Sequence, residues 1–424
     1  MPQRRFWIAG TLILAMICLF PVVSTAESPA GGYKVIYSFT GSPDGSVPLS
    51  DLTFDAEGNL YGTTSAGGAY GYGTVFELKY AGDSWQEEVL YSFTGNSDGA
   101  YSNSGVILDN AGSLYGFTAG HYDTGPKANV FKLTPGSGGW TESVIYSFDA
   151  WGGLDWPDFQ SDLIIDAHGD LFGTLWYTYG GSCGYDGCVF KLIPQPDGKW
   201  RQETLYNFAG RPDGSHPYSS PVLDSSGNLY GTTMAGGSGT CHPFYPGGCG
   251  IAYELTHGSD GKWTENILYN FVRGGGNAVT PFAAFALMND GHILATSADG
   301  GDGLGTVFEL KKSKKGWEQD VLHRFYGGQD GDGPIGRLIN LSGALFGVTG
   351  YTVFELDASK TNGWKEKILH TFAGGVSDGD LPAAGLVADS HGRLYGTTLY
   401  GGSGQCGYGS CGLVYEITLE GGER

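Results

Sequence analysis

Beyond its first two dozen residues the chain has no run apolar enough to cross a bilayer, and no amphipathic stretch long enough for a useful helix. Basic residues are scarce: 23 Lys and Arg stand against 44 Asp and Glu, a formal net charge of −21 at pH 7. Such a surface repels phosphate backbones and anionic lipid, which argues against nucleic-acid and membrane-surface partners. Catalytic signatures are missing too. No Gly-x-Ser-x-Gly elbow, His-Glu-x-x-His pair or P-loop occurs, and the nine His are scattered. Isolated Gly-x-Gly runs carry no information in a chain with 75 Gly. Cysteine is sparse, and no two of the seven stand at the two-residue spacing typical of zinc ligands.

What is present begins with a leader. Arg4 and Arg5 precede an apolar run from Phe6 to Val23, and Ser24-Thr25-Ala26 offers small residues at a cleavage site. This predicts a secretory signal peptide over 1–26, with no membrane span after its removal and a secreted, extracellular or periplasmic destination. Cys18 leaves with it. The remaining six cysteines form close pairs, Cys183/Cys188, Cys241/Cys249 and Cys406/Cys411, as expected of three local disulfides in an exported protein. Closing such short loops contributes roughly 2 kcal/mol each on the chain-entropy model.

The body of the chain, 27–424, repeats one unit. The clearest copy runs from Gly58 to Leu78 (GNLYGTTSAGGAYGYGTVFEL), with relatives starting at Gly112, Gly169, Gly227, Gly291, Gly343 and Gly392. A second strand pattern sets the period: Trp85, Trp140, Trp200, Trp263, Trp317 and Trp364 each lie eight residues before a Phe. Steps between these Trp are 55, 60, 63, 54 and 47 residues. Trp85, Glu87, Val89, Tyr91 and Phe93 alternate with the period of two expected of a strand. Turns of the form Asp-x-x-Gly, as at Asp55–Gly58 and Asp166–Gly169, precede Leu-Tyr-Gly and carry hairpin chemistry.

Each period thus holds four short strands. They are labelled A (before the Asp turn), B (Leu-Tyr-Gly), C (Val-Phe-Glu-Leu) and D (Trp to Phe). Seven such units predict an all-β, seven-bladed β-propeller with four antiparallel strands per blade, a single domain with repeats at about 33–84, 85–139, 140–199, 200–262, 263–316, 317–363 and 364–418. A linear β-solenoid is the alternative architecture. The chain starts on a D strand (Tyr33–Phe39) and ends on a C strand (Leu413–Thr418), so the N-terminal strand is expected to complete the last blade and close the ring.

The unit G-N-L-Y-G-T-T…G-G…G-T-V-F-E-L resembles the GloVer-type tandem repeat of exported bacterial proteins over nearly all of residues 33–418. The resemblance implies export and supplies no catalytic residues. Many members of that family end in a C-terminal sorting anchor, whereas this chain ends Thr-Leu-Glu-Gly-Gly-Glu-Arg, which favours free secretion.

On this topology the D–A and B–C loops share one face, the candidate binding face. Three Trp that the repeat does not explain, Trp151, Trp156 and Trp176, fall there with Phe159, Tyr177, Tyr179, Tyr218, Phe244 and Tyr245, bordered by Asp155 and Asp158. Such a patch suits a sugar ring or a protein partner; the alternative is that the rings pack on one another beneath an enlarged loop. Asp330, Asp332, Asp378 and Asp380 invite a calcium reading, against which stands their role as solvated turn residues. No other cofactor is expected. The preferred function is a secreted, monomeric, non-catalytic binding or adhesion propeller for an extracellular glycan or protein. A polysaccharide-acting hydrolase or lyase, and a structural envelope component, are the alternatives.

Overall fold

In the computed structural model of the protein, the described residues are 32–82, 84–119, 128–148, 161–176, 183–241, 247–281, 283–288, 290–301, 303–359, 363–382, 384–406 and 409–420. Seven four-stranded antiparallel sheets follow one another around a ring, with strands in the order A-B-C-D from the centre outward. In the first blade A is Thr53–Phe54, B is Leu60–Thr64, C is Thr74–Tyr80 and D is Trp85–Ser92. The ring closes as expected. Strand Gly32–Ser38 pairs antiparallel with Leu413–Thr418, so the two ends of the chain share the seventh blade. Among the described residues no helix is long and apolar enough to cross a membrane.

The recurring residues are the joints of this ring. The Phe that ends each D strand stands edge-on or tilted against an aromatic of strand C in the next blade, at all seven interfaces. Phe39–Phe76, Phe93–Phe131, Phe148–Phe190 and Phe208–Tyr253 have centroid distances of 5.0, 5.2, 4.7 and 5.1 Å. Phe271–Phe308, Phe325–Phe354 and Phe372–Tyr415 complete the set at 5.5, 5.2 and 5.1 Å. Every ring in these pairs is buried. Offset contacts of this kind contribute about 0.5–1.5 kcal/mol beyond area burial. The Gly of Leu-Tyr-Gly makes room for them. A Cβ at Gly62 would stand 2.7 Å from the Phe76 ring, and one at Gly173 equally close to Phe190.

The first Thr of Gly-Thr-Thr ties blades together through hydrogen bonds. Thr63 Oγ1 donates to the Ser104 carbonyl at 2.8 Å, Thr174 to Ser219 at 3.2 Å, and Thr397 to Ser50 at 3.4 Å. Each acceptor lies just ahead of the next blade's inner strand. The Asp of the Asp-x-x-Gly turn is equally local: Asp55 Oδ1 accepts the Glu57 and Asn59 amides, and its Oδ2 accepts the Tyr61 hydroxyl. These aspartates are turn chemistry.

Three disulfides, Cys183–Cys188, Cys241–Cys249 and Cys406–Cys411, clip B–C loops with Cα separations of 5.4, 5.1 and 5.2 Å. Four blades without any cysteine pair make the same sheets, so the bridges are loop clips.

Candidate functional site

The D–A and B–C loops do share a face, because they hydrogen-bond to each other. Gly45–Ser46 pairs with Ala66–Gly67, Gly214–Ser215 with Ala235–Gly236, and Ala278–Val279 with Asp299–Gly300. From this face the chain enters the seven A segments, which line a central channel of about 270 Å³.

One residue per blade occupies the same place on this lining, two positions before the one that pairs with the middle residue of the Leu-Tyr-Gly motif or its counterpart (Tyr61, Tyr115, Phe172, Tyr230, Leu294, Phe346 and Tyr395). Register sets the ring as Asp51, Gly105, Asp162, Ser220, Ala284, Arg337 and Gly385. All but Gly105 line the cavity directly. Where the joints are repeated blade after blade, this ring is not: two carboxylates, one guanidinium and one hydroxyl interrupt a set of small residues.

The carboxylates have a scaffold task as well. Asp51 Oδ1 accepts the Gly385 amide of the preceding blade at 2.6 Å, and Asp162 Oδ1 accepts the Gly105 amide at 2.5 Å. Ser220 Oγ accepts the Asp162 amide at 2.7 Å in the same relation. Each side chain therefore caps the equivalent amide one blade back. Gly105 and Gly385 are small for a reason: a Cβ at either would stand 3.2 Å or less from the Asp162 or Asp51 carboxylate.

Enclosure by protein shapes the electrostatics. Burial pushes the Asp162 carboxyl up to about 7, helped by the Asp51 charge. Burial also raises Asp51, opposed by the Arg337 guanidinium and the Gly385 amide. The channel thus holds two carboxyls that burial biases toward protonation beside a guanidinium, a set of donors and acceptors for a polar ligand.

Above the ring, the D–A loops hold a second repeated feature. Val47, Tyr101, His216, Thr280 and Leu381 have φ of 58, 52, 60, 47 and 53°, and Gly333 occupies the equivalent position at 53°. Left-handed backbone costs a β-branched residue most, yet Val47 and Thr280 adopt it. The compensation is a backbone hydrogen bond to the preceding blade: the Val47 amide donates to the Cys411 carbonyl at 2.9 Å, and the Thr280 amide to the Cys249 carbonyl at 3.0 Å. Because Gly333 makes the same link to Leu304 O, this strain belongs to ring assembly.

Of the residues expected to form an aromatic patch, Trp151, Asp155, Trp156, Asp158, Phe159, Tyr177, Tyr179, Phe244 and Tyr245 lie outside the described residues. Trp176 directly follows strand B of the third blade, its ring 5.3 Å from that of His216, and Tyr218 is half-buried in the loop entering the fourth blade. Both stand on the loop face. The Asp-Gly loop aspartates are held by protein donors: Asp378 accepts His370 Nε2 at 3.0 Å and the Ala373 and Gly379 amides, and Asp330 accepts the Tyr326 amide at 2.5 Å.

Sequence reasoning missed Asp51, Asp162 and Arg337. A signal existed for two of them, since Asp51 and Asp162 each stand four residues before the turn aspartate (Asp55, Asp166). Arg337 had none, because its hairpin turns on Leu341-Ser342-Gly343 without that marker.

The Gloeobacter/Verrucomicrobia repeat model matches residues 22–245. No curated protein sequence matches the chain. Similar solved structures include a Thermus thermophilus protein described as an oxidoreductase (glucose dehydrogenase), at 14% identity over 91% of this chain and 99% of that one, TM-score 0.45. A luciferin-regenerating enzyme matches at 15% identity, 75% and 91% coverage and a TM-score of 0.40. PorZ, a surface component of the type-IX secretion system of Porphyromonas gingivalis, matches at 15% identity over 87% of this chain and 46% of PorZ, TM-score 0.48. None of these likenesses carries an argument about ligand or chemistry.

Proposed function

The chain belongs to the Gloeobacter/Verrucomicrobia repeat family, and we propose that it is an exported, non-catalytic binding propeller that seats a polyhydroxylated ligand, such as the end of a glycan chain, at the loop-face mouth of its central channel. The observation that carries this reading is the channel ring. Blades with Gly or Ala at this position form the same sheets, yet Asp51, Asp162 and Arg337 line the cavity. Hydroxyl-rich ligands are recognised by mixed carboxylate and guanidinium hydrogen bonds in partly desolvated sites. In this reading Trp176 contributes to the outer rim of the seat, and the sequence expectation adds Trp151 and Trp156 to it. Three disulfides support an oxidising destination.

A glycan array run beside a turnover assay on a polysaccharide panel tests the proposal. Binding without turnover is expected, and Arg337→Ala should weaken it at least tenfold, about 1.4 kcal/mol, with the melting temperature unchanged. Turnover of any panel member would favour the hydrolase or lyase alternative, with Asp51 and Asp162 as the carboxyl pair. Neither binding nor turnover would favour a structural envelope role.

A further inference from the structure

At the outer part of several blade interfaces the repeat assembles three side chains from different units. They are the Tyr of the Tyr-x-Phe ending of one D strand, the Asp of the following D–A loop, and the residue two past the Trp of the next D strand. At three interfaces these are Tyr37, Asp44 and Glu87; Tyr91, Asp98 and Glu142; and Tyr206, Asp213 and Glu265. The phenol hydroxyl serves as the bridge, lying 3.0 Å from Asp44, 3.1 Å from Asp98, and 3.2 and 3.3 Å from Asp213 and Glu265.

Between the fifth and sixth blades the bridge is an imidazole. His323 replaces the tyrosine, opposite Asp330 and Glu366. Its Nε2 lies 3.3 Å from Asp330 Oδ1 and 3.6 Å from Glu366 Oε1, and one nitrogen cannot donate a proton to both. Nε2 and Glu366 Oε1 are both closed to water and lack a hydrogen bond of good geometry among the described residues; the equivalent Oε1 of Glu87, Glu142 and Glu265 is unpaired there as well, so the imidazole Nε2 is what distinguishes this interface. All three ligand atoms lie within 4.8 Å of one another. Donors about 2.0–2.2 Å from a tetrahedral ion stand roughly 3.3–3.6 Å apart, so both measured separations match edges of a zinc polyhedron better than hydrogen bonds.

The other histidine at this position shows the contrast. His370 Nε2 makes a hydrogen bond of 3.0 Å to Asp378, and Tyr33 stacks on its ring at 3.7 Å in the place of a third donor. That interface is satisfied without an ion.

From this geometry we infer that His323, Asp330 and Glu366 form a binding site for one divalent transition-metal ion of the zinc class, joining the fifth blade to the sixth. An imidazole with two carboxylates suits zinc and its neighbours over calcium, which takes six to eight oxygens. Three protein ligands leave a coordination position for water.

The test is isothermal titration of the untagged, chelator-treated full chain with zinc chloride, with bound metal counted by mass spectrometry. One ion per chain with micromolar or tighter affinity is expected. His323→Tyr restores the residue found at 37, 91 and 206, and Glu366→Gln installs the residue found at the equivalent positions 202 and 319, so the repeat itself tolerates both changes. Each should weaken binding at least a hundredfold while the metal-free melting temperature is kept. No stoichiometric zinc, calcium binding in preference to zinc, or unchanged zinc affinity in both variants would overturn the assignment.

Discussion

The interface carboxyls make the ring's stability depend on pH in an unusual direction. Glu87, Glu142 and Glu265 are half-buried between blades, each facing the aspartate of the neighbouring loop. Burial, then the charge of Asp44, pushes Glu87 up to about 7. Burial and Asp98 do the same to Glu142, at about 7, and burial and Asp213 push Glu265 up to about 8. An unfolded glutamate releases its proton near 4.3, so above that value the folded ring holds protons that the unfolded chain has lost. The stabilisation is fully present below the unfolded value and disappears as pH rises through 7 and 8. Each such site can contribute a slope of up to about 1.4 kcal/mol per pH unit between its unfolded and folded values, roughly 4 kcal/mol in all before screening. Water at the rim of the interfaces screens most of this, leaving about 1 kcal/mol per site, or roughly 3 kcal/mol across the three. For a ring of this size that corresponds to a fall of roughly 4 °C in melting temperature from pH 5 to pH 9. Aspartates with lowered values, Asp55, Asp109, Asp378 and Asp389, act in the opposite sense and lose their contribution only in strong acid. Tryptophan-fluorescence melts at pH 5, 7 and 9 and constant ionic strength measure the effect. The triple variant Glu87→Gln, Glu142→Gln, Glu265→Gln should flatten the profile, because glutamine keeps the contact and does not titrate. A melting temperature at pH 9 equal to or above that at pH 5, or a triple variant with an unaltered slope, refutes the reasoning.

Deleting Tyr33–Phe39 strips the outer strand from the seventh blade and exposes Leu413–Thr418 as an unpaired edge. The truncated chain should melt far lower or precipitate, and a stable, monomeric product would contradict the closure. Reduction of the three disulfides should speed proteolysis at the B–C loops while leaving far-ultraviolet circular dichroism intact; peptide maps showing cross-blade links, or collapse of the ring on reduction, would contradict their role as clips.

The fold was legible because its joints recur blade after blade. Period-two strands, Asp-x-x-Gly turns and the Trp-to-Phe spacing survive individual exceptions such as His323 and His370, and the chain's D-strand start and C-strand finish disclose the closure. The channel ring was hidden by the shortness of its strands. Thr53–Phe54 and Ile164–Ile165 are two-residue elements, too short for a periodicity, so Asp51 and Asp162 merged with their loops. Interface triads such as Tyr206, Asp213 and Glu265 were invisible for a different reason: their members are up to 59 residues apart and meet only when adjacent blades dock. The expected aromatic patch rested on residues that break the repeat, and of these Trp176 and Tyr218 are placed on the loop face.

Hydrogen–deuterium exchange on the full chain, with and without the tightest oligosaccharide from the glycan array, bears most directly on where a ligand sits. Protection should concentrate in the channel segments 50–53, 161–164 and 336–338 and in the D–A loops above them, and Arg337→Ala should abolish it. Protection confined to the A–B and C–D turns of the opposite face, or to the outer D strands, would contradict the channel-mouth seat.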